Sequence, residues 1–404
     1  MHDRSLSGVA TERTSTRLGL VLGVLSAIGP LAMDLYLPAF PMMVRDLASS
    51  PAEVQRTLSV FLLALACAQI PVGSLSDRYG RKLALYCGIG LFVIASVACA
   101  VAMRIETLQM LRFVQGVGIC AGTVVSRAMI RDVSSGHEAA RLMAVSFLVI
   151  GISPVLAPLA GQLLLTVMSW RGLFVVLALA GVVSLAVVRF KLTESLPAHR
   201  RIPRGTAVWP AYRALLLNRK FILAALVAGL AMTVPYAYIT AAPFVFIGRF
   251  GLHASQYTVL LGISAVCSIA ATQCSPMLMK RWGARRLVMR AGLSGVALIA
   301  VLAMVSWAGG FSLMLFQFVS MLLFGLMGLT LTPAAISALD AAKGGGGTAA
   351  SMLGTLQLAV TALASGAISL FPAYSALPLL LVLGGSFTLI WLLGRGLTEM
   401  HARN

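Results

Sequence analysis

Asp77-Arg78-Tyr79-Gly80-Arg81-Lys82-Leu83 is a short basic turn between two apolar runs. A second such turn, Lys280-Arg281-Trp282-Gly283-Ala284-Arg285-Arg286-Leu287, lies in the other half of the chain. Arg78 matches Arg281, Tyr79 matches Trp282, Gly80 matches Gly283 and Lys82 matches Arg285, each 203 residues apart in a chain of 404. A recurrence at half the chain length is the mark of an internal repeat. It predicts two halves, 1–190 and 220–404, joined by a polar linker at 191–219.

The runs around these turns set the fold class. Apolar stretches lie near 18–41, 57–75, 83–103, 107–130, 142–168 and 172–190, then near 221–247, 256–279, 287–307, 311–339, 347–371 and 374–394. Hydrophobic residues make up 59% of the chain and charged residues 11%. Soluble domains carry about 25% charged residues, so too little charge is present to cover a soluble globule. Twelve spans of about 20 residues fit the length. A lipid-embedded backbone must bond to itself, which leaves helices or closed barrels. Long unbroken runs without barrel alternation select helices. The fold class is therefore an all-α membrane protein of twelve transmembrane helices in two six-helix, pseudo-symmetric halves.

Charge orients it. With both termini cytoplasmic, 25 of the 31 Lys and Arg residues fall on the cytoplasmic side, 5 on the other side, and Arg112 falls inside a span. That bias is the positive-inside pattern. The net charge of +19 is spread in short clusters between spans. Anionic lipid headgroups are thus the expected partner. Nucleic acid is not, because no basic face remains once the spans are removed. Residues 1–17 form a polar tail, and the first apolar run exceeds a signal-peptide core, so it is read as a retained span. The six cysteines lie in apolar runs with no CxxC pair and read as small buried hydrophobes. The histidines suggest no metal site, and no GxxxxGK[ST] loop supports ATP-driven work.

Against this sparse charge a few residues stand out. Asp34, in Ala32-Met-Asp-Leu-Tyr-Leu-Pro38, is the one acid clearly within a span. It must face a partner or a watery cavity, or carry a proton. A position close to the outer interface, marked by Pro38 and Pro41, is the other reading. Gly23, Ala27, Pro30, Leu31, Asp34 and Pro38 share a helix face whose small residues leave room for a cavity. Arg112 is embedded in Leu111-Arg-Phe-Val-Gln-Gly-Val-Gly118, with Gln115, Gly116, Ile119 and Thr123 on its face. A buried Arg stays charged and needs acceptors. Asp34 is the obvious acid, and backbone carbonyls or water are the alternative. Asp77, at the end of the second helix, is expected to meet a basic residue or a helix N-terminus of the other half. Pro154, Pro158 and Gly161 lie in the fifth run, where prolines kink a helix and small residues admit close contact, for packing or for motion. Phe61, Tyr238 and Gln357 complete the expected cavity lining.

As a set these motifs resemble a known family. Gly73-Ser-Leu-Ser-Asp-Arg-Tyr-Gly-Arg-Lys82 resembles the loop signature of the major facilitator superfamily, and Leu111–Gly118 resembles the helix-4 Arg motif of its drug–proton antiporters. Met33–Pro41, Ser153–Gly161, Ser169-Trp-Arg171, Glu194-Ser-Leu-Pro197 and Tyr238–Val245 look like the bicyclomycin/chloramphenicol-resistance (Bcr/CflA) family. The resemblance covers nearly the whole chain and is densest in the first half. It implies a monomeric carrier of the bacterial inner membrane, not an enzyme, that exports small lipophilic compounds against protons. The proton is the coupling ion and there is no other cofactor. The resemblance assigns proton binding to Asp34, coupling to Arg112, and an inner gate to Gly73, Asp77, Arg78, Gly80 and Arg81. The fifth-helix motif departs from the usual Gly-Pro and Gly-Gly, reading Ala157-Pro158 and Ala160-Gly161. One antiporter of the superfamily has a second acid two turns before the first; the matching position here is Ser26. A symporter importing a metabolite on the same fold is the alternative. A membrane sensor or enzyme on this scaffold has no soluble module to support it.

Overall fold

The computed structural model describes residues 3–133, 142, 153, 156–203, 209–242, 246, 250–252, 254–308, 312–342, 346–371 and 377–402. Every regular element among them is helical. The helices are α1 Asp3–Asp34, α2 Phe40–Asp46, α3 Pro51–Tyr79, α4 Arg81–Ala100, α5 Ile105–Val133, α6 Trp170–Lys191, α7 Trp209–Leu217, α8 Arg219–Ala242, α9 Ala254–Trp282, α10 Ala284–Trp307, α11 Leu313–Ala341, α12 Gly346–Ile368 and α13 Leu377–Ala402. Among the described residues, eleven segments are long and apolar enough to cross a membrane. The fifth apolar run and Pro154 fall largely outside the described residues, although 156–164 are helical.

The repeat seen in the sequence is present in the backbone. Helices α3 and α9 are both 29 residues long and begin and end 203 positions apart. Each is followed by a glycine with positive φ, Gly80 at 101° and Gly283 at 79°, which caps the next helix. Side chains rarely adopt that conformation, so glycine is what lets the chain turn back within one residue. Helices α5 and α11 are again 29 residues each.

The first span departs from a single helix over 18–41. Helix α1 stops at Asp34, a 3-10 turn occupies Leu37–Ala39, and α2 follows with Pro at its first turn. Pro38 and Pro41 account for the break: proline lacks an N–H and disfavours helical backbone just before it. The next helix starts on a capping box. Ser50 Oγ accepts from Glu53 N at 3.3 Å, and Glu53 Oε2 accepts from Ser50 N at 2.7 Å. Ser-x-x-Glu is the sequence form of this motif. The linker holds more structure than its polarity suggests. Helix α7 buries Tyr212 and Leu215 on one face and leaves Trp209 and Leu217 exposed.

The molecule divides into two compact units, neither contiguous in sequence. One comprises Met1–Tyr36, Ala68–Ala102 and Met110–Thr206; the other comprises Leu37–Cys67, Met103–Gln109 and Ala207–Asn404. In the first, α6 packs on α1 and α4, and α4 meets α5 at bare backbone. A Cβ on Gly118 would stand 2.6 Å from Phe92 N, and one on Gly88 would stand 2.7 Å from Gly118 O. In the second, α8 is central, packed by α11, α12 and α13. Helices α5 and α8 are the most enclosed spans, each with 67% of its apolar window buried, against 28% for α9. Outward faces are apolar: Leu163 is 70% exposed, Met314 84% and Trp307 92%. Such side chains belong against lipid. The cysteines split between the two environments. Cys99 and Cys120 are buried, whereas Cys67, Cys87 and Cys274 are exposed, so only part of the set matches the buried expectation.

The α4–α5 contact gives a direct test of packing. Gly118→Ala places a methyl against the Phe92 backbone and is expected to cost about 1–3 kcal/mol. Gly90→Ala, where a Cβ meets nothing within 4 Å, is expected to be neutral. The unfolding midpoint of the detergent-solubilised protein, measured for both variants, checks the difference.

Candidate functional site

Two polar clusters in the first unit account for most of the residues singled out by sequence. The deeper one surrounds Arg112, which is fully buried on α5. Its Nη1 donates to Gln115 Oε1, one turn along the same helix. Gln115 Nε2 in turn donates to Ser96 Oγ at 2.7 Å, and Ser96 Oγ to Phe92 O at 2.6 Å. The guanidinium also lies over two rings, Tyr36 at 4.5 Å and Phe174 at 5.8 Å. Those rings touch each other at 5.8 Å, and Trp170 meets Phe174 edge-on at 6.0 Å. An aromatic face attracts a desolvated guanidinium without supplying a counter-charge.

Asp34 is also buried, at 3% exposure. It is the last residue of α1, at the break in the first span, which places it inside the protein rather than at a solvated end. Among the described residues its carboxyl has no ion pair, and the expected Asp34–Arg112 pair is not formed; the two ion pairs present both belong to Arg81. The physical reason lies in the break. The turn after Asp34 carries Tyr36, not Asp34, onto the guanidinium. That turn is backed by Gly161, where a Cβ would overlap the Leu35 carbonyl. Pro158 is buried beside it. Sequence reasoning weighed acids, carbonyls and water as partners for Arg112 and missed the ring.

The second cluster gathers at the Gly80 turn. Arg81, 6% exposed, donates through Nη1 to Ser76 Oγ at 2.7 Å and to Asp77 Oδ1. Its Nε donates to Asp132 Oδ2 at 2.8 Å. Asp77, expected to meet a basic residue or a helix N-terminus of the other half, pairs with a basic residue, Arg81, four residues on, across the glycine turn at the end of α3. The linker closes the cluster. Glu194 accepts from Arg81 N at 2.9 Å and from Lys82 N at 3.2 Å, so a carboxylate sits on the N-terminus of α4, where the helix dipole favours it. Ser195 Oγ donates to Asp132 Oδ2 at 2.9 Å, Lys82 Nζ donates to Leu192 O at 2.8 Å, and Ile202 N donates to Asp77 O at 3.1 Å. Asp132 was not singled out by sequence; an acid closing a basic-rich helix end was the available signal. Gly73 and Arg78 flank this cluster on α3.

The remaining expected lining residues divide between the units. Ala27 and Leu31 are half-buried on α1, while Gln115 and Ile119 are fully buried on α5. In the second unit Phe61 is buried, and Gln357 is half-buried where α12 crosses α8: a Cβ on Gly229 would stand 3.2 Å from the Gln357 Cα. Tyr238 does not line open space. It is 1% exposed, donates to Gln317 Oε1 at 3.1 Å, and packs among Phe246, Phe316 and Phe324. Gln317 is anchored in turn on Leu260 O and Ser264 Oγ, both at 3.0 Å.

The second unit also holds a neutral latch that sequence did not reveal. Gln55 Nε2 donates to Thr240 O at 3.1 Å. Ser59 Oγ bonds Ser365 Oγ at 2.9 Å, and Ser365 Oγ bonds Thr240 Oγ1 at 2.8 Å. It ties the end of α3 remote from Gly80 to α8 and α12. Hydroxyls inside helices usually bond their own backbone, so nothing in the sequence marks these.

Comparison with known proteins agrees with this architecture. The family model described as the Major Facilitator Superfamily matches residues 22–370. An uncharacterized MFS-type transporter of Bacillus subtilis, YdgK, is 35% identical over 65% of this chain and 66% of its own. A bicyclomycin resistance protein homolog of Haemophilus influenzae is 28% identical over 90% of this chain and 92% of its own. The multidrug resistance protein MdtL of Klebsiella pneumoniae is 30% identical over 68% and 69%. Among solved structures, a D-xylose–proton symporter superposes with a TM-score of 0.73 at 14% identity, covering 94% of this chain and 96% of that one. An inward-facing bacterial Spinster homolog gives 0.69 at 15% identity, over 96% and 98%. At such identities the structures speak for the fold alone, and the fold is that of the major facilitators. By sequence over most of its length and by fold over nearly all of it, this multi-pass membrane protein is a transporter rather than an enzyme and belongs to the Major Facilitator Superfamily, in the branch of the bicyclomycin-resistance and MdtL proteins.

Proposed function

We propose that the chain exports small lipophilic compounds across the bacterial inner membrane in exchange for protons, as a monomer with both termini in the cytoplasm. Asp34 carries the proposal: a lone carboxyl, buried at a helix break within a span, with no ion-pair partner among the described residues. Placing an ionised acid at the centre of a span costs about 2.5–3.5 kcal/mol. A proton on Asp34 removes that cost. The acid is therefore stable in the buried arrangement only when loaded, and unloading favours a different arrangement. A substrate that binds the unloaded form better drives the proton off, and the two need not touch. The names of the relatives, bicyclomycin resistance and multidrug resistance, support drug-like cargo.

The other groups take supporting parts. Arg112 reads the state of Asp34. In the first unit Ala27, Leu31, Gln115 and Ile119 contact the cargo, and in the second Phe61 and Gln357 do; Tyr238 belongs to an aromatic core and holds Gln317 in place. The residues Gly73, Asp77, Arg78, Gly80 and Arg81 work the inner gate, and Pro158 and Gly161 let the fifth helix ride on the broken first span. Residues 1–190 and 220–404 are the two working halves and 191–219 joins them. The exposed basic side chains at the linker meet anionic headgroups, and nucleic acid has no role.

In a host stripped of its own efflux pumps, the wild-type chain is expected to raise resistance within a panel of bicyclomycin, chloramphenicol and ethidium. Asp34→Asn is expected to return susceptibility to that of the empty host. Full resistance in the Asp34→Asn variant sinks the mechanism, and proton-driven accumulation in right-side-out rather than everted vesicles reverses the direction.

A single acid sets a single proton per cycle. Neutral and monovalent cargo is expected to be concentrated in everted vesicles by a pH gradient, and dications about tenfold less well or not at all, since each charge moved works against the potential by about 2.3 kcal/mol per 100 mV. Comparing ethidium with a bis-quaternary dye of similar size measures the difference.

A further inference from the structure

We infer that the Tyr36 ring is a stand-in partner for Arg112, holding the guanidinium while Asp34 carries its proton and yielding it to the Asp34 carboxylate when the proton leaves. This rests on the proton-coupled reading above and adds the residue that connects the acid to the cation.

The geometry comes from one short segment. Asp34 ends α1, Leu35 and Tyr36 form the turn, and the 3-10 helix begins at Leu37. Within that segment Leu35 is the fixed point, because its carbonyl lies so close to Gly161 that no Cβ fits between them. Asp34 stands on one side of this pivot and Tyr36 on the other. In the inferred exchange, a shift of this turn that brings the carboxylate to Arg112 displaces the ring that now occupies that place. The boundary between the two compact units also falls between Tyr36 and Leu37, so the pivot is where the packing of the first span changes hands.

The chemistry requires such a partner. Arg112 is fully buried, and guanidinium does not give up its charge. When Asp34 is neutral, something uncharged must hold the cation. Two rings at 4.5 and 5.8 Å and the Gln115 amide do so in this structure. A carboxylate binds a guanidinium more strongly than a ring does, so ionisation of Asp34 displaces the ring. Without the nearer ring, Arg112 would keep only Phe174 and Gln115 and would favour the ionised form of Asp34 more strongly, which weakens loading of the proton. Phe174, on α6, is not tied to Asp34 by the chain and serves as the constant wall of the bracket.

The test keeps the shape of the side chain and changes only its electrostatics. Position 36 of the full chain is set in turn to Phe, 3,5-difluorophenylalanine and pentafluorophenylalanine, and everted vesicles are assayed with the panel compound that the wild type exports best. Two rates are read, uptake driven by a pH gradient and exchange of the compound down its own gradient. Tyr36→Phe is expected to keep both rates within about twofold of wild type, since the ring face remains. Fluorination is expected to lower the driven uptake stepwise, by about tenfold for the pentafluoro ring, with exchange unchanged. A flat series overturns the inference, and so does a parallel loss of both rates, which marks a packing role. Asp34→Asn in the same vesicles separates the two proposals. If it retains driven uptake, the proton-coupled reading itself fails. If it loses driven uptake while the fluorinated series is flat, only the stand-in role fails.

Discussion

The first unit is organised around a cation that cannot leave and cannot discharge. Arg112 sits on one of the two most enclosed spans, fully buried, and among the described residues no carboxylate forms an ion pair with it. Four elements bend to this requirement. Helix α5 supplies Gln115, α4 supplies Ser96 to hold Gln115, α6 supplies Phe174, and the broken end of the first span supplies Tyr36. The break depends on Pro38 and Pro41, and the close approach of 156–164 to it depends on Gly161. Removing charge from this centre would leave an aromatic core with no reason for its amide and hydroxyl chain.

The Gly80 turn answers a different demand. Several charges crowd there at the end of a span, and they are spent on one another and on helix ends. Arg81 takes two carboxylates, and Glu194 takes two backbone donors of α4. The related Gly283 turn keeps the backbone form without that crowd: nothing would lie within 4 Å of a Cβ there. Two copies of one motif have thus come to hold different amounts of restraint. The linker supplies the difference, through Glu194 and Ser195.

Much of this was legible in the sequence, for reasons that differ by residue. The spans and the repeat rest on hydrophobicity and glycine placement, which act locally and survive without knowledge of the packing. Asp34 and Arg112 were visible because charge in a span is rare. Their partners were not. An arginine between rings looks, in sequence, like an arginine near ordinary packing aromatics, and Tyr36 is one aromatic among many. A basic partner was among those expected for Asp77, but spacing does not pick out Arg81 from its neighbours, because it gives no sign of the side chain folding back across the turn. The expected place of Tyr238 along open space fails because Phe246, from one segment, and Phe316 and Phe324, from α11, enclose it. Neutral contacts between distant helices leave the faintest trace of all, as the Gln55–Thr240 bond illustrates.

That neutral latch has a consequence for how the signals in the molecule are kept apart. Gln55, Ser59, Thr240 and Ser365 bear no charge and do not titrate near neutral pH. Acidity, salt and membrane voltage therefore pass over it, and its strength is a fixed property of the protein. The carboxyl of Asp34, by contrast, has a charge that a proton can remove. The fold thus keeps an uncharged fastening, whose groups are the same in acid and in neutral surroundings, apart from the buried acid, whose charge is not.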